Sequence, residues 1–590
     1  MDKKRAVELD NWFPQPGWVE VRRGSSYQSW DVGSAAVAVS SIDTGADEIT
    51  VASHTFTDGD QVKVQAATTI PGGLSAVRTY YIINSTSTTF QLSRESGGSA
   101  EDITSAGSGT VTIFSVESKP SVESLMAYHG PTTNKLFAGA GGSIWDVTST
   151  SYARYSTATG LSSNRWQWTN FATAGGNFLF IVNGADAPRY YDGSSWTTPT
   201  ITGTGITATD FVSVTPHKER LWFIIKDTTD AAYLGTKAVA GTAVKFPMGQ
   251  LFSKGGYLVT VETWTLDGGA GPDDYCVFIS SRGQAAVYAG TDPSSASTWA
   301  LVGVFDVGEP IGRRCAVRYG TSPLVITQQG LLKLQLSLAK DRAELEGTAY
   351  SARIYQAMND AARDYSGNFG WQAVSYPRGK MLILNVPTAE TTTAVQYVMN
   401  TLTGAWCSFS GWNANCFVIF NDKLYFGSQD GEIFQGDVGS TDVGETIVAT
   451  GQSAYQAFGS TGRNKQFKMM KAIVRSTATN RPQLGISTDM VETSQLSTLP
   501  ASSSSGAVWD EFNWDEANWS SDDVPLSDWA STPAFGVWGS VKFVASTGAD
   551  QGGALWGVAQ WGVDEWGFST ADETMRINGF VLVYETGSYL

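Results

Sequence analysis

From Lys135 to Gly436 the chain repeats one phrase: an apolar run, a turn, then a second apolar run that often carries an aromatic. Lys135-Leu-Phe-Ala-Gly139 turns through Gly141-Gly142 into Ser143-Ile-Trp-Asp-Val147, and Asn177-Phe-Leu-Phe-Ile-Val182 through Asn183-Gly184 into Pro188-Arg-Tyr-Tyr-Asp192. Glu219-Arg-Leu-Trp-Phe-Ile-Ile225 leads to Ala232-Tyr-Leu-Gly235, and Cys276-Val-Phe-Ile279 to Ala286-Val-Tyr-Ala-Gly290. Leu324-Val-Ile326 and Lys423-Leu-Tyr-Phe-Gly427 open two more. Each phrase reads as a hairpin, because short β-branched and aromatic runs between turn residues suit a pleated, half-buried surface. Most recur at roughly 40 to 60 residues, the period of propeller blades. One blade cannot bury both faces alone, so several must stack radially. A β-propeller over 118–450 is the prediction, with a blade hidden in the longer gap between Leu331 and Lys423; a string of β-sandwiches is the rival.

Other stretches break this texture. Between Ser34 and Ser115 the runs Ile49-Thr-Val51, Gln61-Val-Lys-Val64, Thr79-Tyr-Tyr-Ile-Ile83, Thr89-Phe-Gln-Leu92 and Thr110-Val-Thr-Ile113 alternate with turns such as Asp58-Gly59-Asp60. They predict a small β-sandwich or barrel inserted over 34–117. Ahead of it, 1–33 hold Trp18-Val-Glu-Val-Arg22 and supply platform or propeller strands. Within 339–365, Tyr350, Ile354, Met358 and Ala361 step by three or four and form one apolar stripe. That spacing predicts a lateral helix near 348–365, packed locally or against a neighbouring subunit. Phe467-Lys-Met-Met-Lys-Ala-Ile-Val474, in basic surroundings (Arg463, Lys465, Lys468, Lys471, Arg475), and Ile577-Asn-Gly-Phe-Val-Leu-Val583 read as strands of a C-terminal β domain over 451–590.

Composition sharpens the all-β reading. Hydrophobic residues make up 42%, charged residues only 16%, and Ser, Thr, Gly and 21 Trp fill the difference, a mix suited to strands and tight turns. Net charge is −17, which argues against duplex binding, since phosphate contacts depend on Lys and Arg. Solubility alone accounts for that charge; so does an acidic wall past which DNA slides without sticking. Cys276, Cys315, Cys407 and Cys416 lack CxxC spacing and are expected as free buried thiols in a reducing cytoplasm. No apolar stretch follows Lys3-Lys4-Arg5, so no secretory signal is expected, and no run approaches a membrane span.

The chemistry that an enzyme needs is sparse. Asp510, Glu511, Asp515 and Glu516 beside Trp509, Trp514 and Trp519 are the residue types of a glycosidase, but they are sequence-adjacent, whereas catalytic pairs usually come from separate strands. Tyr191-Asp-Gly-Ser-Ser-Trp196 is faintly similar to the Asp-box turn of sialidases, itself a structural turn, with Tyr190 where the leading Ser belongs. His54, His129 and His217 are isolated, and no phosphate loop or dinucleotide fingerprint occurs. The expectation is no catalytic site, no cofactor and no metal.

Three segments resemble the nozzle proteins of short-tailed bacteriophages, the tail tubular B or packaged-DNA-stabilisation type. Asn11-Trp-Phe-Pro-Gln-Pro-Gly17 with Val19-Glu-Val-Arg-Arg-Gly24 is similar to their opening, and Val122-Glu-Ser-Leu-Met-Ala-Tyr128 with Lys135–Val147 to their first blade. Arg463-Asn-Lys-Gln-Phe-Lys-Met-Met-Lys471 and the Trp-Asp-Glu phrases after it resemble their last domain. Residues 34–117 depart from that pattern and resemble a β module inserted in assorted phage virion proteins. The resemblance implies a virion structural protein made in the host cytoplasm. It implies a homo-oligomeric ring, usually a hexamer, below portal and head-tail adaptor. Double-stranded DNA would pass through transiently and non-specifically, with a tail fibre or tailspike and the host envelope as further contacts. Trp509, Trp514, Trp519, Trp556, Trp561 and Trp566 are the candidate distal tip or partner contact, ordinary core Trp being the alternative. A tail-associated receptor-binding or polysaccharide-degrading protein is the competing function.

Overall fold

The computed structural model describes residues 6–29, 36–66, 68–75, 78–116, 120–149, 156–267, 272–320, 322–337, 344–390, 392–476, 481–499, 524–526, 528–547 and 574–589. Among these, seven antiparallel sheets follow one another from residue 124 to 436 and form the blades of a propeller. Their inner strands are Ser124–His129, Gln167–Thr173, Phe211–His217, Leu258–Asp267, Ala316–Tyr319, Gln372–Tyr376 and Ala414–Phe420. Blade 5 has three strands; the other six have four.

Apolar side chains between neighbouring blades hold the ring together. Phe180 and Phe223 fill the gap between blades 2 and 3, and Trp222, Phe278 and Trp299 that between blades 3 and 4. The ring closes between first and last blades, where Val122, Leu125 and Leu136 share a core with Cys416, Val418 and Phe420. A Cβ on Gly427 would come within 2.5 Å of Val122 there, so only glycine lets those blades approach so closely. The blade expected in the long gap is the sixth, over 372–409, built on the strands Met381–Ala389 and Thr393–Asn400.

The outer strand of blade 7 comes from the other end of the sequence. Ser25–Ser29 pairs antiparallel with Ile433–Gly436, so the ring is fastened by residues about 400 positions earlier in the chain. The segments before Ser25 belong to a C-terminal sandwich. Ala6–Asp10 pairs with Glu445–Ser453 in one sheet, while Trp12–Gln15 and Trp18–Val21 extend the other through Met575–Tyr589. Trp12, fully buried, packs with Phe467, Met470, Val541, Phe543, Met575 and Ile577 between the two sheets. Truncating it to Ala would cost about 3–5 kcal/mol.

The inserted segment is a closed six-stranded barrel. Ala36–Asp43 is its first strand, and Ile49, Val62, Val64, Tyr80, Ile82, Phe90, Leu92 and Ile113 fill the interior. Phe114 pairs with Ala36, so the module enters and leaves at one place. The helical stretch divides into a 3₁₀ turn, Tyr350–Ile354, and an α-helix, α1 (Tyr355–Tyr365). Met358, Ala361 and Ala362 of α1 sink into the core shared by blades 4, 5 and 6, with Tyr350 and Ile354 half-buried beside it, so the stripe is used within the chain itself.

Candidate functional site

The six tryptophans singled out in the sequence, Trp509, Trp514, Trp519, Trp556, Trp561 and Trp566, lie outside the described residues. Within them, two features stand apart from ordinary packing.

The first is a funnel at one end of the propeller axis. Loops preceding the inner strands and loops joining second to third strands converge there. They bring together Arg165, Asn183, Lys226, Arg313, Arg314 and Phe369 from blades 2, 3, 5 and 6. Three cavities of about 350, 370 and 390 Å³ meet at Arg313, which lines all of them. Arg165 Nε donates to Glu123 Oε1 at 2.9 Å and its Nη2 to Glu390 Oε1 at 2.8 Å. Phe369 carries two guanidinium groups, Arg165 at 4.1 Å and Arg314 at 5.1 Å from the ring centroid, a stacking that orients both forks. Arg314 Nη2 donates to Glu123 O at 2.7 Å and Trp166 O at 3.3 Å, while its Nη1 is buried without a hydrogen-bond partner. Burial pulls the Arg314 guanidinium below its ordinary value.

Further along the axis, Glu262 lines the channel and accepts a 3.3 Å hydrogen bond from Thr260 Oγ1. Burial pushes its carboxyl up to about 7, against the pull of Arg318. Among the described residues no second carboxylate lines the channel beside Glu262, whereas glycoside hydrolysis uses a pair. The histidines stay apart: His54 stacks on Phe56 in the barrel, His129 ends a strand of blade 1, and His217 is buried in blade 3 at 3.1 Å from Thr263 Oγ1. No group of three or more His, Cys, Asp or Glu that could hold a metal occurs among the described residues. All four cysteines are free and buried, and burial pushes the Cys416 thiol to about 11 and Cys315 to about 12. The Asp192 turn is structural, its Oδ1 accepting from Ser194 N and Ser195 N, both at 2.8 Å.

The second feature is the outer face of the C-terminal sandwich. In the strand Arg463–Ser476, Phe467, Met470, Ala472 and Val474 point into the core, which leaves Met469, Lys471 and Ile473 outward. Val583 and Val581 lie opposite Met469 and Lys471 on one side, and Trp529 lies opposite Lys471 on the other. Met469, Ile473, Val581, Val583 and Trp529 are each about 40–45% exposed, an apolar strip around Lys471 rather than scattered single residues. Lys471 Nζ lies 5.9 Å from the Trp529 ring centroid, and Lys468 pairs with Glu585 at the strip's edge.

Sequence reasoning passed over the funnel. Its one signal was position: Arg165 and the Arg313-Arg314 pair stand directly before inner strands, where side chains face the axis. Nothing in the local pattern says that two such loops, nearly 150 residues apart, meet over one aromatic ring.

No protein-family model matches the chain, and no curated protein does. Among solved structures, the extracellular domain of a hybrid two-component system from B. thetaiotaomicron aligns over 77% of this chain and 64% of that one, at 8% identity and a TM-score of 0.34. A protein assigned as a 6-phosphogluconolactonase from Bacteroides fragilis aligns over 57% and 91%, at 12% identity and 0.32. A family 43 arabinoxylan arabinofuranohydrolase from Bacillus subtilis, in complex with cellotetraose, aligns over 76% and 88%, at 9% identity and 0.22. All three scores lie below the level at which two chains share a topology.

Proposed function

We propose that the chain is a structural, non-enzymatic subunit of a bacteriophage virion. In this reading it is the tail nozzle of a short-tailed phage, a six-fold ring below portal and adaptor that retains genomic DNA and then passes it. The observation that carries the reading is the apolar strip on the C-terminal sandwich. A single soluble chain gains nothing from exposing Met469, Ile473, Val581, Val583 and Trp529 together, whereas a subunit covers such a face in its assembly. Two of the three segments that resemble nozzle proteins support it from another side, for they meet in one body: Trp12 of the opening shares a core with Phe467 and Met470 of the last domain. The net charge of −17 suits a conduit, since an electronegative wall lowers friction on passing DNA.

Mass determination with negative-stain microscopy, on the chain alone and with adaptor complexes, tests this. Rings with a hole about as wide as a duplex, or addition below the adaptor, support the conduit. A strict monomer that ignores adaptor and binds or cleaves host glycan moves the assignment to a receptor-binding or polysaccharide-degrading tail protein. The Trp-rich stretches are proposed as the distal tip; particles lacking 508–520 that still assemble and retain DNA would remove that role.

A further inference from the structure

The 350 Å³ cavity of the axial funnel is lined by four cations, Arg165, Lys226, Arg313 and Arg314, and by no carboxylate. In a chain with 56 Asp and Glu against 39 Lys and Arg, that concentration of one sign runs against the composition. Only part of it is spent internally. Arg165 is held by Glu123 and Glu390, and Arg314 Nη2 by two backbone carbonyls. Arg313 makes a single long bond, Nη1 to Asn183 O at 3.4 Å, and Arg314 Nη1 is buried with no partner at all. Leaving a charged donor buried and unmatched costs free energy that a bound acceptor recovers.

The walls are built to hold these groups in place. Phe369 fixes the planes of Arg165 and Arg314, so both forks are ordered before any ligand arrives. Gly184 has φ of +74°; a Cβ there would strike Val212 at 2.5 Å and crowd Arg313 Nη1 at 3.4 Å. The cavity is of the size that takes a small molecule and far too narrow for a duplex.

From these observations we infer that the axial funnel is a binding site for a small oxyanion, a phosphate or carboxylate group carried on a ligand about the size of a monosaccharide, with Arg313 and Arg314 Nη1 as its donors. The site is independent of the nozzle reading: it lies on the propeller, away from the apolar strip, and can stand or fall alone.

Calorimetric titration of the full-length protein with sodium phosphate, and separately with sodium glucuronate, tests it. One-to-one binding is expected, fading as sodium chloride is raised. Arg313→Gln, at an exposed position, and Arg314→Gln should each weaken binding about tenfold, the loss of one charge-assisted hydrogen bond. Arg363→Gln, on the outer surface of α1, should leave binding unchanged. Because Arg314 also braces two blades, its variant is read only alongside an unchanged melting temperature, and Arg313→Gln decides the matter if it unfolds. Phosphate binding alone assigns a phosphoryl ligand; glucuronate alone, a carboxylate. No heat with either probe, or binding that survives Arg313→Gln, overturns the site and leaves Arg314 Nη1 a structural donor to water.

Discussion

The Arg22 guanidinium touches three parts of the chain at once. Its Nε donates to Asn11 Oδ1 at 2.7 Å, Nη2 to Ser410 O at 2.6 Å, and Nη1 to Asp442 Oδ1 at 3.0 Å, while its plane stacks on Trp412 at 5.0 Å. The arginine side chain is 1% exposed, so removing it leaves Asp442 facing Trp412 Nε1 and Ser25 Oγ with no cation beside it. Arg22→Ala should lower stability by about 3–5 kcal/mol, seen as an earlier thermal transition, and Arg22→Lys should recover little because an ammonium cannot fork. A transition within a degree of wild type would show that the neighbours carry the junction without it. Glu262 gives the opposite sign. Its folded value of about 7 lies above the ordinary 4.5, so the folded state holds the proton more tightly. The penalty is absent below 4.5, grows as pH rises between the two values, and is complete above 7. Glu262→Gln should therefore raise stability by about 1–2 kcal/mol at pH 8, discounted for channel water, and change nothing once the pH is well below 4.5. Melting curves under the two conditions settle it; equal shifts at both would mean that the carboxyl is ionised freely in the channel. Neither residue was legible as special in the sequence, where Arg22 is one basic residue in a strand and Glu262 one acid in another. Lys465, one of the five basic residues around the Phe467 strand, gave no sign of its place either: it is fully buried, its Nζ donating to Ser460 O, Arg463 O and Val537 O.

Elements were far more legible than side-chain partners, because a hairpin announces itself locally. The phrases in blades 1 to 5 and 7 mark strands that the structure contains, and the barrel strands at 48–51, 61–66, 80–83, 89–93 and 111–115 were marked by the same alternation. Blade 6 was hidden for a physical reason. Asn385 and Gln396 interrupt its apolar runs, yet both are fully buried, joined at 2.9 Å, with their amide nitrogens donating to Gly370 O, Ala414 O and Trp412 O. A polar pair whose amide nitrogens all find acceptors, with Gln396 Oε1 left unmatched, reads as a strand end in the sequence and sits in the core in the fold. The barrel's first strand, Ala-Val-Ala-Val-Ser-Ser-Ile-Asp over 36–43, was missed because its side chains are small and its outer half polar. That barrel has its own interior and adjacent ends, so it should be separable. Replacing 36–116 by a short flexible linker should leave the melting temperature of the rest unchanged, since loop closure depends only weakly on length. A drop of several degrees would show that the module braces the propeller.

At the scale of the molecule, the apolar strip and the propeller lie on separate bodies joined through the N-terminal strands, so assembly and folding can be disturbed one at a time. Ile473→Glu with Val581→Glu should convert any ring to single chains by mass photometry while the thermal transition of the propeller stays put, because both side chains face outward. Rings that persist in this variant would place the subunit contact elsewhere. The fastening of blade 7 by Ser25–Ser29 also has a consequence for how the protein comes off the ribosome. The clasp emerges well before its partner Ile433–Gly436, which is about 400 residues behind it. At roughly 5–20 residues per second, the opening strands wait on the order of 20–80 s with their sheet edges bare. The barrel, encoded between clasp and first blade, can fold during that interval but also lengthens it. Synthesis therefore delivers a finished small domain tethered to an open ring, and a product truncated before the last blade keeps Ser25–Ser29 without its partner strand.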